Sequence, residues 1–249
     1  MFRNQYDTDV TVWSPQGHLH QIDYAMEAVK QGSATLGLRS NTTVVLAGIK
    51  RVQAEQLADP QKKLFGIDTH MGMSIAGLTA DARSLARFMR TECLNHKFVY
   101  GSAMPVGRLV SDVADKKQEC TQSYVRRPYG VGLLVAGVDK NGPHLFQTCP
   151  SGNYYEYNGI AIGARSQSAR TYLEKHFLTF PSLGKDELIK HALQGIRGCL
   201  EGTQELSVSN ILIAVVGVDQ PFVIIDDAAL QAYIDAVEVS DVTEDVQMT

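Results

Sequence analysis

The sequence is poor in the features that mark several classes of protein. It has four cysteines, one tryptophan and no apolar run near the roughly 18 residues that a membrane span requires. The cysteines are widely spaced and form no C-x-x-C pair, which favours free thiols in a reducing compartment over disulfides or a zinc site. A formal net charge of −4 over 249 residues gives no reason to expect nucleic acid or an anionic membrane as a partner.

Metal and cofactor chemistry also lack their usual signals. The seven histidines have no metal-ligand spacing. His18 and His20 stand two residues apart at a helix start, which predicts that their rings point to different faces. The acidic stretches at 226–227 and 238–244 are too sparse in oxygen ligands for a calcium loop. We therefore expect neither a metal nor a cofactor, and the polar residues 1–12 predict no secretory leader.

The N-terminal region contains the clearest local pattern. The segment 14–17 has turn chemistry, since Pro15 presets φ and Gly17 tolerates the left-handed region. A helix over 18–31 is predicted next, with Gly32 as its stop. Its apolar stripe comprises Leu19, Ile22, Met26 and Val29. Because the helix precedes a β-rich region, the stripe is expected to pack against a neighbouring protomer or over the end of the chain's own sheets, and both alternatives stay open.

The remaining sequence predicts blocks of strands that alternate with pairs of helices. Helices are predicted near 78–98, from Pro105 onward, near 164–177 and near 185–200. Strands are predicted near 35–38, 44–49, 64–67, 71–76, 131–138, 144–148, 159–162, 211–218 and 222–225. This order favours an α+β fold in which antiparallel sheets pack on each other with helices outside. No linker interrupts 1–237, which predicts one domain followed by an acidic, flexible tail at 238–249.

Four ordered motifs connect the chain to a known family. They span residues 6–37, 75–83, 126–134 and 162–174. On these motifs the chain resembles proteasome alpha-type subunits over nearly its whole length. The resemblance implies a four-layer α-β-β-α sandwich of the N-terminal-nucleophile hydrolase type, with two antiparallel sheets between helix pairs. It also implies an extra N-terminal helix at 18–31 and a gate arm at 1–12.

The resemblance further implies that the ancestral catalytic site is degenerate. Catalytic relatives use an N-terminal threonine whose free amine is the base. Here Ser33 takes the nucleophile's position inside the chain, where its nitrogen is an amide that cannot accept a proton. That site also has an acid early in the chain, a serine, and a second acid late in the chain, and these positions hold Ile49, Ala164 and Gln204 here. Its lysine is matched by Lys63. The chain is therefore expected to be a non-catalytic subunit of a threonine-type endopeptidase complex.

In the family it resembles, such a subunit belongs to the hetero-heptameric outer ring of the 20S core particle. The implied partners are other alpha subunits, beta subunits, regulatory or activator tails, and unfolded polypeptides in transit. Tyr6, Asp7, Pro15 and Tyr24 match positions that hold the gate arm at the pore. Thr8 departs from the arginine often found there. Without the neighbouring motif, Tyr6 and Asp7 would be read as a frayed terminus.

Two further positions match a pocket for activator tails. Lys63 corresponds to a lysine that pairs with the C-terminal carboxylate of such a tail, and Gly77 to a position of close backbone approach. The alternative is that Lys62 and Lys63 form a solvated surface pair. The resemblance also implies a role in ubiquitin-dependent and ubiquitin-independent protein degradation, in the cytoplasm and the nucleus.

Two other functions remain alternatives on the sequence. One is a self-sufficient N-terminal-nucleophile hydrolase, processed between Gly32 and Ser33. The other is a stand-alone scaffold or adaptor without a pore. Neither nucleic acid nor a membrane is expected as a partner.

Overall fold

The structure, a computed structural model, describes residues 5–51, 61–202 and 204–247. The described residues form six α-helices and ten β-strands. The helices are α1 (His20–Gln31), α2 (Thr79–Tyr100), α3 (Val106–Thr121), α4 (Ser166–His176), α5 (Lys185–Arg197) and α6 (Asp227–Gln247). The strands are β1 (Thr35–Arg39), β2 (Thr43–Ile49), β3 (Leu64–Asp68), β4 (Met71–Gly77), β5 (Val131–Asp139), β6 (Gly142–Thr148), β7 (Tyr154–Glu156), β8 (Gly159–Ile162), β9 (Ile211–Gly217) and β10 (Gln220–Ile224).

The strands form two five-stranded antiparallel sheets. The first sheet has the order β10-β9-β2-β1-β8, and the second has the order β3-β4-β5-β6-β7. Short turns join most strands that are neighbours along the chain. Between β1 and β2, for example, the Ser40 hydroxyl accepts a hydrogen bond from the Thr43 N–H at 3.1 Å. The predicted antiparallel sheets are confirmed.

The two sheets pack face to face, and helices cover both outer faces. Strand β2 is apolar along almost its whole length because both of its faces are buried. Val44 and Leu46 point between the sheets, whereas Val45 and Ala47 point toward the helices α4, α5 and α6. Helices α2 and α3 cover the second sheet in the same way. The four-layer α-β-β-α sandwich is therefore confirmed.

One of the ten strands and one of the six α-helices were not predicted from the sequence. Strand β7 has only three residues, all exposed, so it carries no periodic apolar signal. Helix α6 begins at Asp227. Its side chains Leu230, Ile234 and Val237 recur at helical spacing, and they are buried against α5 and the first sheet. The backbone of α6 is helical to Gln247, within the range of the predicted tail at 238–249, whose flexibility stays a prediction.

Helix α1 packs on the end of its own sandwich, against β4 and β5. It begins at His20, two residues after the predicted start, because the preceding turn closes with the His18 N–H donating to the Ser14 hydroxyl at 3.0 Å. Val29 joins the apolar layer between the sheets, while Met26 remains 39% exposed. The stripe is thus used partly within the chain, through Val29, whereas Met26 stays partly exposed.

Gly32 ends helix α1 for a reason that the sequence did not indicate. Its backbone is extended (φ −67°, ψ 149°), a conformation that any residue adopts. However, a Cβ on Gly32 would lie 2.1 Å from the backbone nitrogen of Gly77. Glycine is therefore required because two backbones meet here, and the end of α1 is held against the end of β4.

Candidate functional site

The degenerate catalytic positions come together in one cavity of about 100 Å³. Ser33, Ile49, Ala164 and Gln204 all line it. Ser33 precedes β1, Ile49 ends β2 and Ala164 follows β8, and these three strands are antiparallel neighbours that present those ends at the same edge. Backbone hydrogen bonds fix the arrangement, with the Ile49 N–H on the Ala34 carbonyl at 3.0 Å and the Ala164 N–H on the Gly32 carbonyl at 2.7 Å.

Lys63 reaches this cavity's edge from the opposite sheet. It lies just before β3, and its Nζ is 2.6 Å from the Ser33 hydroxyl oxygen and also donates to the Ser33 carbonyl. The residue is only 6% exposed, whereas Lys62 is exposed. Burial, together with the nearby Arg51 cation, lowers the pKa of Lys63 to about 7. The alternative of a solvated Lys62–Lys63 pair is therefore wrong for Lys63.

The described residues around the cavity supply some parts of an N-terminal-nucleophile site but not the full assembly. The nitrogen of Ser33 lies in a peptide bond, and Ile49 puts an apolar side chain where an acid would stand. Among the described residues of the lining, Glu201 supplies the one carboxylate, which accepts a hydrogen bond from Arg165. No local pattern in the sequence indicates this pair or Arg51, because their proximity depends on loops that are distant along the chain.

The described part of the arm is attached to helix α1. The Tyr24 hydroxyl donates to the Asp7 carboxylate at 3.0 Å, and the Gln21 side chain donates to the Asp7 carbonyl. Tyr6 is half-buried beside Asp7, and Thr8 is exposed. Pro15 lies in the exposed turn between the arm and the helix. The structure therefore brings Asp7 and Tyr24 together and adds Gln21, which carried no recognisable sequence signal.

Gly77 lies where three of the four motifs meet, those at 6–37, 75–83 and 126–134. It has a left-handed backbone (φ +116°), and its backbone is closely approached by Gly32 and by the Gly130 carbonyl of the same chain. Asp81 fixes the loop that contains Gly130, because its carboxylate accepts hydrogen bonds from Arg127 at 2.7 and 2.8 Å and from the Gly130 N–H at 2.9 Å. Burial acts to raise the pKa of Asp81, but the bonds from Arg127 and Gly130 hold that pKa below its usual value.

The remaining predictions concern the histidines, the cysteines, metal sites and membrane spans. The rings of His18 and His20 stack at 6.2 Å, so the prediction that they point to different faces is wrong. All four cysteines are free thiols, as predicted. Within ranges 5–51, 61–202 and 204–247, no three His, Cys, Asp or Glu side chains are grouped so that they could hold a metal ion. No helix in those ranges has both the length and the apolar character for crossing a bilayer.

Comparison with known proteins gives consistent matches along the chain. Residues 29–216 match the model of the proteasome subunit family, and residues 6–28 match the model of the N-terminal signature of A-type proteasome subunits. The chain is 54% identical over 239 residues to proteasome subunit alpha type-1 of Dictyostelium discoideum, covering 96% of each protein. It is 53% identical to proteasome subunit alpha type-1 of Drosophila melanogaster, covering 91% of this chain and 82% of that protein. A probable proteasome subunit alpha type-6 of Schizosaccharomyces pombe is 52% identical, covering 94% of this chain and 86% of that protein.

Proposed function

Because the chain belongs to the proteasome subunit family, as an alpha-type and therefore non-catalytic subunit of the 20S core, we propose that it gates polypeptide passage and docks regulatory tails. It associates with other proteasome subunits, and the alternatives of a self-sufficient hydrolase and of a stand-alone scaffold are wrong. The proposal includes a hetero-heptameric alpha ring in contact with beta subunits. It also includes a part in ubiquitin-dependent and ubiquitin-independent degradation in the cytoplasm and nucleus, which suits four free thiols.

The attachment of the arm to helix α1 is the observation that carries the gating proposal. Asp7 is bonded through both its carboxylate and its backbone carbonyl, to Tyr24 and Gln21. Two bonds at one residue set the direction in which the arm leaves the helix. A polar arm of this kind can change position at little energetic cost while a hydrogen bond to a carboxylate favours one arrangement.

Deletion of residues 2–9 is expected to raise the basal hydrolysis of a fluorogenic peptide by resting core particles. If the arm contributes about 1 kcal/mol to the closed state, the open-to-closed ratio rises about fivefold on its removal. The matched control is deletion of residues 242–249, which removes a segment of the same length from the other terminus and should leave the rate unchanged. An unaltered basal rate in the first variant would argue against gating by this arm.

The Asp7–Tyr24 contact is tested separately by a double-mutant cycle. Asp7→Asn and Tyr24→Phe each weaken the same hydrogen bond, so both should shift the basal rate in the same direction. The double variant should shift that rate little further than either single variant does. Tyr124→Phe, at an exposed tyrosine outside the arm, is the control. Fully additive effects of the two substitutions would mean that they do not act through one contact.

The docking proposal depends on Lys63 and Gly77. A tail carboxylate next to Lys63 would replace part of the solvation that burial has removed and would favour the charged ammonium. We expect core particles to bind an activator-tail peptide with a free carboxylate about tenfold more tightly than its C-terminal amide, or about 1.4 kcal/mol. That ratio should fall to near unity in Lys63→Ala and persist in Lys62→Ala. An unchanged ratio in Lys63→Ala particles would assign Lys63 no part in tail capture.

A further inference from the structure

The pair formed by Lys63 and Ser33 has a geometry that tail capture does not require. The Lys63 Nζ lies 2.6 Å from the Ser33 hydroxyl oxygen. The aliphatic stem of Lys63 runs along the backbone of Gly48, where a Cβ would approach the lysine Cγ to 2.9 Å. With 6% of its surface exposed, the lysine side chain has little freedom to turn away. The amine is therefore held on the hydroxyl by packing.

The protonation state of Lys63 suits proton acceptance. Burial and the Arg51 cation lower the pKa of Lys63 to about 7, so much of the amine is neutral slightly above neutral pH. A neutral amine can donate to the Ser33 carbonyl and at the same time accept the proton of the Ser33 hydroxyl. Lysine is known to act as a general base for serine when burial removes its charge.

The cavity gives a small reagent access to this hydroxyl. Ser33 is partly buried and lines the cavity of about 100 Å³, which is sufficient for an acetyl group. Arg51 lies in the same lining and is exposed. A cation beside the cavity stabilises the negative charge that develops on a carbonyl oxygen during nucleophilic attack.

We propose that Ser33 is a covalent modification site, at which the Lys63 amine activates the Ser33 hydroxyl toward small acylating electrophiles. With an activated ester, the Ser33 Oγ forms a bond to the acyl carbon and the bond from that carbon to the leaving alkoxide breaks. The hydroxyl proton passes to the Lys63 Nζ and from there to the leaving oxygen, which yields an acyl-serine and an alcohol. The reaction is stoichiometric and does not depend on gating or tail docking.

The test is acetylation of assembled core particles by p-nitrophenyl acetate. The threonine sites of the particle are first blocked with an epoxyketone, and the reaction is quenched in acid and mapped by tandem mass spectrometry. We expect at least tenfold more acetyl on Ser33 than on the exposed Ser182, with a yield that rises with pH around a midpoint near 7. Ser33→Ala should remove the modification.

Lys63→Arg separates a base from a mere positioning group, since arginine keeps the cation and the donors but does not lose its proton. We expect this variant to assemble and to lose the enhanced acetylation of Ser33. Three outcomes would overturn the proposal: acetylation of Ser33 no greater than that of Ser182, an undiminished yield in Lys63→Arg, or an adduct on the Lys63 nitrogen instead of Ser33. Peptide passage and tail binding are measured in separate assays, so their failure leaves this result interpretable.

Discussion

Gly32→Ala is expected to displace helix α1 from the sandwich and to lower the free energy of unfolding by at least about 3 kcal/mol. The added Cβ would lie 2.1 Å from the Gly77 nitrogen and 2.9 Å from two further backbone atoms of β4. These atoms belong to a central strand and cannot rotate away as a side chain can. Overpacking usually costs about 1–3 kcal/mol, and a clash between two backbones lies at or above the upper end. For a chain of this size that loss lowers the melting temperature by roughly 6–12 °C.

Gly184→Ala is the matched control for Gly32→Ala. Gly184 has a similar backbone (φ −72°, ψ 169°), but no atom lies within 4 Å of its added Cβ. Its substitution should change stability by no more than about 1 kcal/mol, since only the preference at a helix N-cap is affected. Thermal unfolding of the isolated chains and native gels of assembled particles measure both effects. Equal stability of the two variants would show that the contact between Gly32 and Gly77 is not closely packed.

Lys117→Met is expected to destabilise the fold most strongly at alkaline pH. Lys117 on α3 is fully buried, and its Nζ donates to the Val131 carbonyl at 3.0 Å and to the Thr148 hydroxyl at 2.8 Å. Methionine would leave both acceptors without this donor, and an unpaired buried group costs about 1–3 kcal/mol. We expect a loss of about 3 kcal/mol in the free energy of unfolding at pH 10.

The pH dependence of this loss follows from the pKa of Lys117. Burial lowers that pKa from 10.5 to about 7, against the opposing effects of Cys149 and Asp81. Between these two values the unfolded chain binds more protons than the folded chain, so the wild-type stability falls as the pH is lowered from 10.5 toward 7. Lys117→Met lacks this contribution. The difference in the free energy of unfolding between the wild type and Lys117→Met should therefore narrow toward pH 7. Lys63 remains in both and contributes a similar slope to each.

Urea unfolding of both proteins across pH 7–10 checks this prediction. Lys116→Met is the control, because its ammonium lies over the Phe88 ring at 4.5 Å, on the partly exposed side of the same helix. This substitution should cost about 1 kcal/mol or less at every pH. Parallel stability curves for the wild type and Lys117→Met would show that Lys117 does not change its protonation between pH 7 and 10.

The candidate site shows how far sequence reasoning extends. Ser33, Ile49 and Ala164 could be matched to former catalytic positions because each stands at a recognisable place in a motif, and the structure brings all three into one cavity. Asp7 of the arm and Tyr24 of helix α1 were matched in the same way, and they form a hydrogen bond. In contrast, Arg51 and the pair of Arg165 and Glu201 belong to the same cavity without any local pattern. Their contribution depends on where loops meet.

The sequence by itself determined an α+β fold with antiparallel sheets, because strand and helix periodicities state which faces are apolar. The fixed order of the motifs indicated the family, and that resemblance implied the four layers. The sequence also determined that the nucleophile's nitrogen is an amide, which follows from covalent structure alone. Only the tertiary structure decided that Lys63 is buried on Ser33 and that Gly32 touches Gly77. These residues are 30 or more positions apart, and their distances are set by the way the two sheets and helix α1 pack together, which no local pattern specifies.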